Sequence, residues 1–182
     1  MNHHFDAVAD SCVTGLPFGN AVISRWPLAD FETIPLPGTA PIKPQPRCAV
    51  HAAVEVNGTT VSAISAHLET AYMSLRRRIA QTETLAQHPR ANQAVATVIG
   101  GDFNSASPVA VRATDRVMAT AGLQRATSKQ RTFRRFGLPF ALDHLYARDP
   151  QSKQLRVIAS GVIPSASASD HYPIWSELGF KH

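Results

Sequence analysis

Asn57-Gly58 sits between two stretches in which apolar and polar residues alternate, Cys48–Val56 and Thr60–His67. A period of two places successive side chains on opposite faces of a strand. Asn-Gly is also the dipeptide that best tolerates the two left-handed residues of a tight hairpin turn. The chain is therefore committed to an antiparallel pair near its middle, and the rest must pack around that pair. Asn20–Ser24 reads as a strand that stops at Pro27. Leu36–Pro46 holds four prolines and reads as a loop. Thr70–His88 carries Leu75, Ile79, Thr82 and Leu85 at helical spacing, with Pro89 as its end. Ala94–Gly100 is a short apolar run read as a buried strand. Pro108–Ala121 reads as a second helix, with Gly122 at its cap. Further strands are predicted at Thr132–Phe133, Ala141–Ala147, Arg156–Ile163 and Tyr172–Leu178. Strand pairs with two helices between them predict an α/β fold, a layered β-sandwich of mixed sheets flanked by helices.

With 182 residues, the chain has the length of one domain, taken as 1–182. No apolar stretch approaches the roughly 20 residues that span a bilayer. Met1–Asp10 lacks the basic and apolar regions of a secretory signal, so a soluble, cytoplasmic protein is expected. Cys12 and Cys48 are the only cysteines and are expected to be reduced thiols. The formal net charge is +5, and fourteen of the eighteen Lys and Arg residues are arginine. Arginine's planar fork suits phosphate, which points toward polyanionic substrates, although a solvated basic surface would show the same balance.

Polar clusters sit at the ends of apolar runs: Asp102 with Asn104, Asp143 with His144, and Asp170 with His171, while His67 closes another run on its own. Taken singly each has a plain structural explanation, as a turn former, a satisfied ion pair or a strand-end histidine. Together they supply what phosphoester hydrolysis needs. Carboxylates and an amide carbonyl are hard oxygen ligands suited to Mg²⁺ or Mn²⁺. A histidine held by an aspartate stabilises charge developing on a phosphorane. Asp102 and Asn104, two apart on an extended segment, share one face.

Five segments follow in order: Gly19-Asn20-Ala21-Val22-Ile23-Ser24-Arg25-Trp26-Pro27-Leu28, Ser65-Ala66-His67-Leu68-Glu69 followed by Arg76-Arg77-Arg78, Gly100-Gly101-Asp102-Phe103-Asn104-Ser105, Thr132-Phe133 with Leu142-Asp143-His144-Leu145-Tyr146, and Ser169-Asp170-His171-Tyr172-Pro173. Together they resemble the endonuclease/exonuclease/phosphatase (DNase I-like) family. The resemblance covers about Gly19 to Leu178. It implies that His171 is the essential histidine at the phosphate and Asp170 a metal-facing carboxylate. Asp102 would orient or deprotonate the attacking water, and Asn104 would meet phosphate or metal. Asp143 would orient a catalytic histidine, His67 would stabilise phosphate, and Asn20 and Arg25 would shape the substrate side. Asp170, Asp102 and Asn104 would hold Mg²⁺ or Mn²⁺.

The family's opening strands carry a glutamate that is its principal metal ligand, and Met1–Phe18 contains no glutamate. The expectation is thus an N-terminally truncated, C-terminal part of such a domain, binding Mg²⁺ poorly. The substrate would be a phosphoester, with nucleic acid favoured slightly by Arg125, Lys129, Arg131, Arg134 and Arg135. Phe18, Trp26 and Phe136 are candidate base-stacking side chains whose plainer role is apolar packing. A catalytically impaired remnant that binds phosphate or a partner is the alternative. A membrane-surface phospholipase is weaker, since no exposed apolar hairpin is evident, and no protein partner is inferable.

Overall fold

The computed structural model describes residues 6–11, 19–38, 46–71, 74–94, 96–134, 140–148 and 156–179. The hairpin read from Asn57-Gly58 is present as β4 (Arg47–Val56) and β5 (Thr59–His67), paired from Val56↔Thr59 outward. Asn57 and Gly58 both have positive φ, 50° and 76°, as the tight turn requires.

Around that pair a six-stranded mixed sheet grows in the order β3-β4-β5-β6-β8-β7. β3 (Leu28–Leu36) lies on the outer side of β4, with a register shift between Ala29 and Glu32. The shift turns Leu28 toward one sheet face and Ile34 and Leu36 toward the other, as an inserted residue must. β6 (Ala96–Asp102) runs parallel to β5, and the crossover is carried by α1 (Leu75–Ala86) and α2 (Pro89–Gln93). β8 (Asp143–Arg148) returns antiparallel to β6, and the short β7 (Gln124–Arg125) closes the edge. α3 (Pro108–Thr120) starts after Ser107, whose side chain accepts the Ala110 N–H at 3.2 Å, and ends before Gly122, which has φ 73°.

One face of the sheet packs against the helices. Ile64, Ala66, Ile99 and Tyr146 meet Leu85, Met118 and Leu123 in one buried cluster. The other face is covered by two separate hairpins, β1 (Asp6–Ser11) with β2 (Gly19–Ser24) and β9 (Arg156–Val162) with β10 (Ile174–Gly179). The layered, helix-flanked sandwich expected from the sequence is the observed architecture.

Several element boundaries differ from the expectation. The first helix starts only at Leu75, and Glu69 and Thr70 are held outside it, the Glu69 N–H by Gln81 and the Thr70 carbonyl by Arg78. Pro89 does not simply end that helix; it opens α2 from the first position, where a missing N–H costs nothing. Thr132–Phe133 is not a strand but a single bridge, Phe133↔His171. β1, β3 and β7 were not foreseen. Cys48 is disulfide-bonded, which overturns the expectation of reduced thiols and removes one support for the cytoplasmic reading. Cys12, the other cysteine, lies outside the described residues, as do Phe18, Arg135 and Phe136. Among the described residues no helix is long and apolar enough to cross a membrane.

Candidate active site

Three strand ends meet at one level. In the parallel register His67 is opposite Asp102, and in the antiparallel register Asp102 is opposite Asp143. Residues opposite one another on adjacent strands share a sheet face. Histidine, aspartate and aspartate therefore stand in a row across β5, β6 and β8, on the face away from the helices. Gly101 makes the close approach possible: it has φ 142°, and a Cβ there would lie 1.9 Å from the Ala66 carbonyl oxygen.

His171 arrives from the loop between β9 and β10. The Tyr172 N–H donates to the Thr132 carbonyl at 2.7 Å. The Thr132 hydroxyl in turn accepts the N–H groups of Leu142 (2.9 Å) and Asp143 (3.1 Å). One buried threonine thus locks the His171 segment to the start of β8. His171 Nδ1 donates to Asp143 Oδ2 at 2.8 Å, which leaves Nε2 as the imidazole's outward atom. The hydrogen bond to Asp143 raises the His171 pKa, working against burial. The Phe133 ring stands edge-on to the imidazole with centroids 5.1 Å apart. Asp143 and His171 lie at one end of a cavity of about 510 Å³ between the two hairpins, with Ser65, Gly100 and Leu145 among its lining residues.

Burial, and next the charge of Asp143, push the Asp102 carboxyl up to about 6. Its Oδ1 accepts the Asn104 N–H at 2.8 Å across a tight turn in which Asn104 has φ 50°. Asn104 is 8% exposed, and its Nδ2 donates to the Leu68 carbonyl at 3.1 Å, leaving its Oδ1 as the acceptor end. His67 Nε2 lies 3.5 Å from Asp102 Oδ2. Burial first, then Arg47 and His171, lower its pKa to about 4. The distance would suit an ion pair, but the two proton affinities do not. Below about 4 the imidazolium faces a neutral acid, and above about 6 the carboxylate faces a neutral imidazole.

Not every expected residue comes to this place. Asn20 does: its Nδ2 donates to the Cys48 carbonyl at 2.7 Å, at the site end of β4. Arg25 does not. It follows β2 at the far end of the sheet, near Leu28, which pairs with Val54 toward the Asn57-Gly58 turn. Trp26 is 40% exposed at that same far end, stacked by the Arg25 guanidinium. Asp170 flanks His171 and raises its pKa, and its backbone carbonyl accepts the Arg134 N–H at 2.8 Å.

Arg47 was missed. It is 8% exposed, lies 3.7 Å from Glu69 Oε1, and its charge lowers the pKa of both His67 and Asp102. The signal was present, since pairing counted outward from Asn57-Gly58 already sets Arg47 beside Leu68.

A family model described as the Endonuclease/Exonuclease/phosphatase family matches residues 2–171. The chain belongs to that family. No curated protein matches it. Solved structures share its fold. One is an endonuclease/exonuclease/phosphatase family protein from Leptotrichia buccalis C-1013-b, at 17% identity and a TM-score of 0.76, with 99% of this chain and 74% of that one covered. A humanized D. rerio TDP2 is 16% identical with a TM-score of 0.76, covering 97% of this chain and 77% of that one. A mannosyl-6-phosphatase from Bacteroides thetaiotaomicron VPI-5482 is 18% identical with a TM-score of 0.72, again over 97% and 77%. Membership in the endonuclease/exonuclease/phosphatase family points to hydrolysis of phosphoester bonds, and the family generally uses divalent metal ions.

The chemistry of the donors fits such an ion better than their number does. Asp102 and Asn104 are joined by the bond from the Asn104 N–H to the Asp102 carboxylate, Asp143 adds a carboxylate opposite Asp102, and Asp170 stands beside His171. All are hard ligands, yet an octahedral shell needs about six oxygens. Among the described residues no group of three or more His, Cys, Asp or Glu side chains is arranged to hold an ion. The fit to a divalent ion is therefore partial.

Most of the arginines that favoured nucleic acid are engaged with other groups of the chain. Arg125 pairs with Asp115 at 2.6 Å and reaches His144 and Tyr146. Arg131 and Arg134 spend their guanidinium groups on backbone carbonyls. Lys129 is exposed, and Arg135 lies outside the described residues.

Proposed function

We propose that this chain is a phosphoester hydrolase whose reacting phosphate sits at the Nε2 face of His171. The carrying observation is the 2.8 Å contact of His171 Nδ1 with Asp143, beside a partly exposed Asp102 whose pKa is raised to about 6. In its protonated form, which the Asp143 hydrogen bond favours, an imidazole fixed by its Nδ1 presents one aligned Nε2–H to an oxygen gaining charge in the transition state, where such donors act most strongly. A carboxyl titrating near 6 is ionised at neutral pH yet basic enough to orient a water and take its proton. Neutral His67 offers a further hydrogen bond, and Arg47 supplies positive charge behind it. Asn104 presents its carbonyl end to the same place, and Asn20 borders the substrate side.

A divalent cation, Mg²⁺ or Mn²⁺, held by Asp102, Asn104 and Asp170, would neutralise phosphate charge when bound. The hard-oxygen character of those side chains supports that assignment. The incomplete donor set supports the second reading, a catalytically impaired member of the family that binds phosphate or a partner.

Two structural neighbours act on or carry different phosphoesters by their descriptions, a mannosyl-6-phosphatase and a TDP2 complexed with a single-strand DNA product. Arg125, Arg131 and Arg134 are engaged within the chain, which weakens the part of the nucleic-acid preference that rested on them. A phosphoester small enough to be held at one phosphate is therefore the favoured substrate. The deciding assay offers p-nitrophenyl phosphate, bis-p-nitrophenyl phosphate and single-stranded DNA with Mg²⁺ or Mn²⁺. Hydrolysis of a small ester that EDTA abolishes is expected. Phosphate binding without turnover on any of the three would favour the impaired reading.

A further inference from the structure

We propose that Arg134 is a positioning residue that holds the His171 loop in register with Asp143, and that it does not bind substrate. The loop between β9 and β10 runs through Ser165, Ala166, Ser167, Ala168 and Ser169, side chains too small to anchor it by packing. Its own hydrogen bonds are local, such as Ala166 N–H to the Ile163 carbonyl at 3.3 Å and His171 N–H to Ser169 Oγ at 3.1 Å. Arg134 comes from across the gap, one residue after the bridge Phe133↔His171. Its backbone N–H donates to the Asp170 carbonyl at 2.8 Å. Its Nη1 donates to the carbonyls of Ala166 and Ser169, both at 3.2 Å. Its Cζ lies 5.4 Å from the centroid of the Tyr172 ring. The Arg134 carbonyl is itself fixed by Arg131 Nη2 at 2.5 Å, while Arg131 Nε holds the Phe133 carbonyl at 2.6 Å.

The guanidinium therefore grips the loop on both sides of His171, at residues 166 and 169 before it and at the Tyr172 ring after it. A planar fork can bridge two carbonyls and stack on a ring at once; a lysine ammonium cannot reproduce that geometry. Misplacing a reacting group by about 1 Å can cost about 10²-fold in rate. Losing this grip should show in turnover more than in substrate binding.

The kinetic arm of the test rests on the phosphoester reading; the exchange arm does not. With bis-p-nitrophenyl phosphate and Mg²⁺, Arg134→Ala should lose up to about 10²-fold in kcat with KM near the parent value. Low-millimolar guanidinium should restore part of the loss, and Arg134→Lys should remain defective. In a His171→Ala background, Arg134→Ala should cost nothing further, because it acts only through that imidazole. A raised KM with kcat intact, or near-parent activity in Arg134→Lys, would assign Arg134 to substrate contact and overturn the proposal. Hydrogen exchange decides the case even if the chain hydrolyses nothing. Arg134→Ala should speed exchange across 166–172 and leave β4 and β5 as protected as before. Unchanged exchange in 166–172 would refute the positioning role by itself.

Discussion

Asp143 stands directly opposite Asp102 in the β6–β8 register, so the carboxylate that orients His171 also raises the proton affinity of Asp102. One side chain acts on two others in different ways, by a hydrogen bond to the imidazole and by like-charge repulsion on its neighbour.

Asp143→Asn separates those effects. The imidazole loses its charged partner, and turnover should fall by about 10²–10⁴-fold, the range expected when a positioned acid–base group is disabled. The Asp102 pKa should fall below its parent value of about 6, because the nearby negative charge is gone. Carbon-13 carboxyl titration of both proteins measures the second effect independently of rate. An Asp102 pKa left at about 6 in the variant would mean that burial alone sets it.

Stability should carry an unusual pH dependence from the same carboxyl. Its folded pKa lies above the unfolded value of 3.8, so folding takes up protons there. The resulting contribution is present below about 4 and is lost as pH rises through about 6. His67 and His144 slope the other way: burial holds them at about 4 and about 3 when folded, so their share is present above 6.5 and lost as pH falls. In EDTA, Asp102→Asn should therefore gain stability relative to the parent as pH goes from 4 to 7. Denaturant midpoints at both ends check this, and a constant offset between the two proteins would contradict it.

Much of the fold was written in local sequence. Asn57-Gly58 gave a hairpin whose pairing fixed everything beside it, and Pro108 with Gly122 bounded α3. β3 was hidden because its bulge breaks the two-residue period between Ala29 and Glu32. β7 is two residues long and exists only through its pairing with β8. The clustered polar residues were legible as a set, because Asp102 ends one apolar run while Asp143 and His171 lie at or just ahead of the start of others. What was not legible was which basic side chains face outward. Arg134 and Arg25 look alike in sequence, yet one is folded onto carbonyl oxygens and the other lies at the far end of the sheet.

Gly101→Ala tests the strand-end geometry. A methyl group 1.9 Å from a backbone oxygen cannot be relieved by a rotamer change, and the residue's φ of 142° is itself unfavourable for alanine. A loss of at least about 1–3 kcal/mol is expected, the usual cost of overpacking. Chemical denaturation measures it, and a variant as stable as its parent would show that β5 and β6 do not approach this closely.

The claim that His171 is the group at the phosphate meets its most direct test in turnover by the purified chain and its His171→Ala variant, with Mg²⁺ and bis-p-nitrophenyl phosphate. Melting temperatures are recorded alongside, because a half-buried loop side chain contributes little packing. The expected result is a fall of about 10²–10³-fold in kcat, typical of a lost transition-state donor, at a nearly unchanged Tm. Near-parent turnover in a folded His171→Ala protein would contradict the assignment and move the chemistry away from the Asp143–His171 pair.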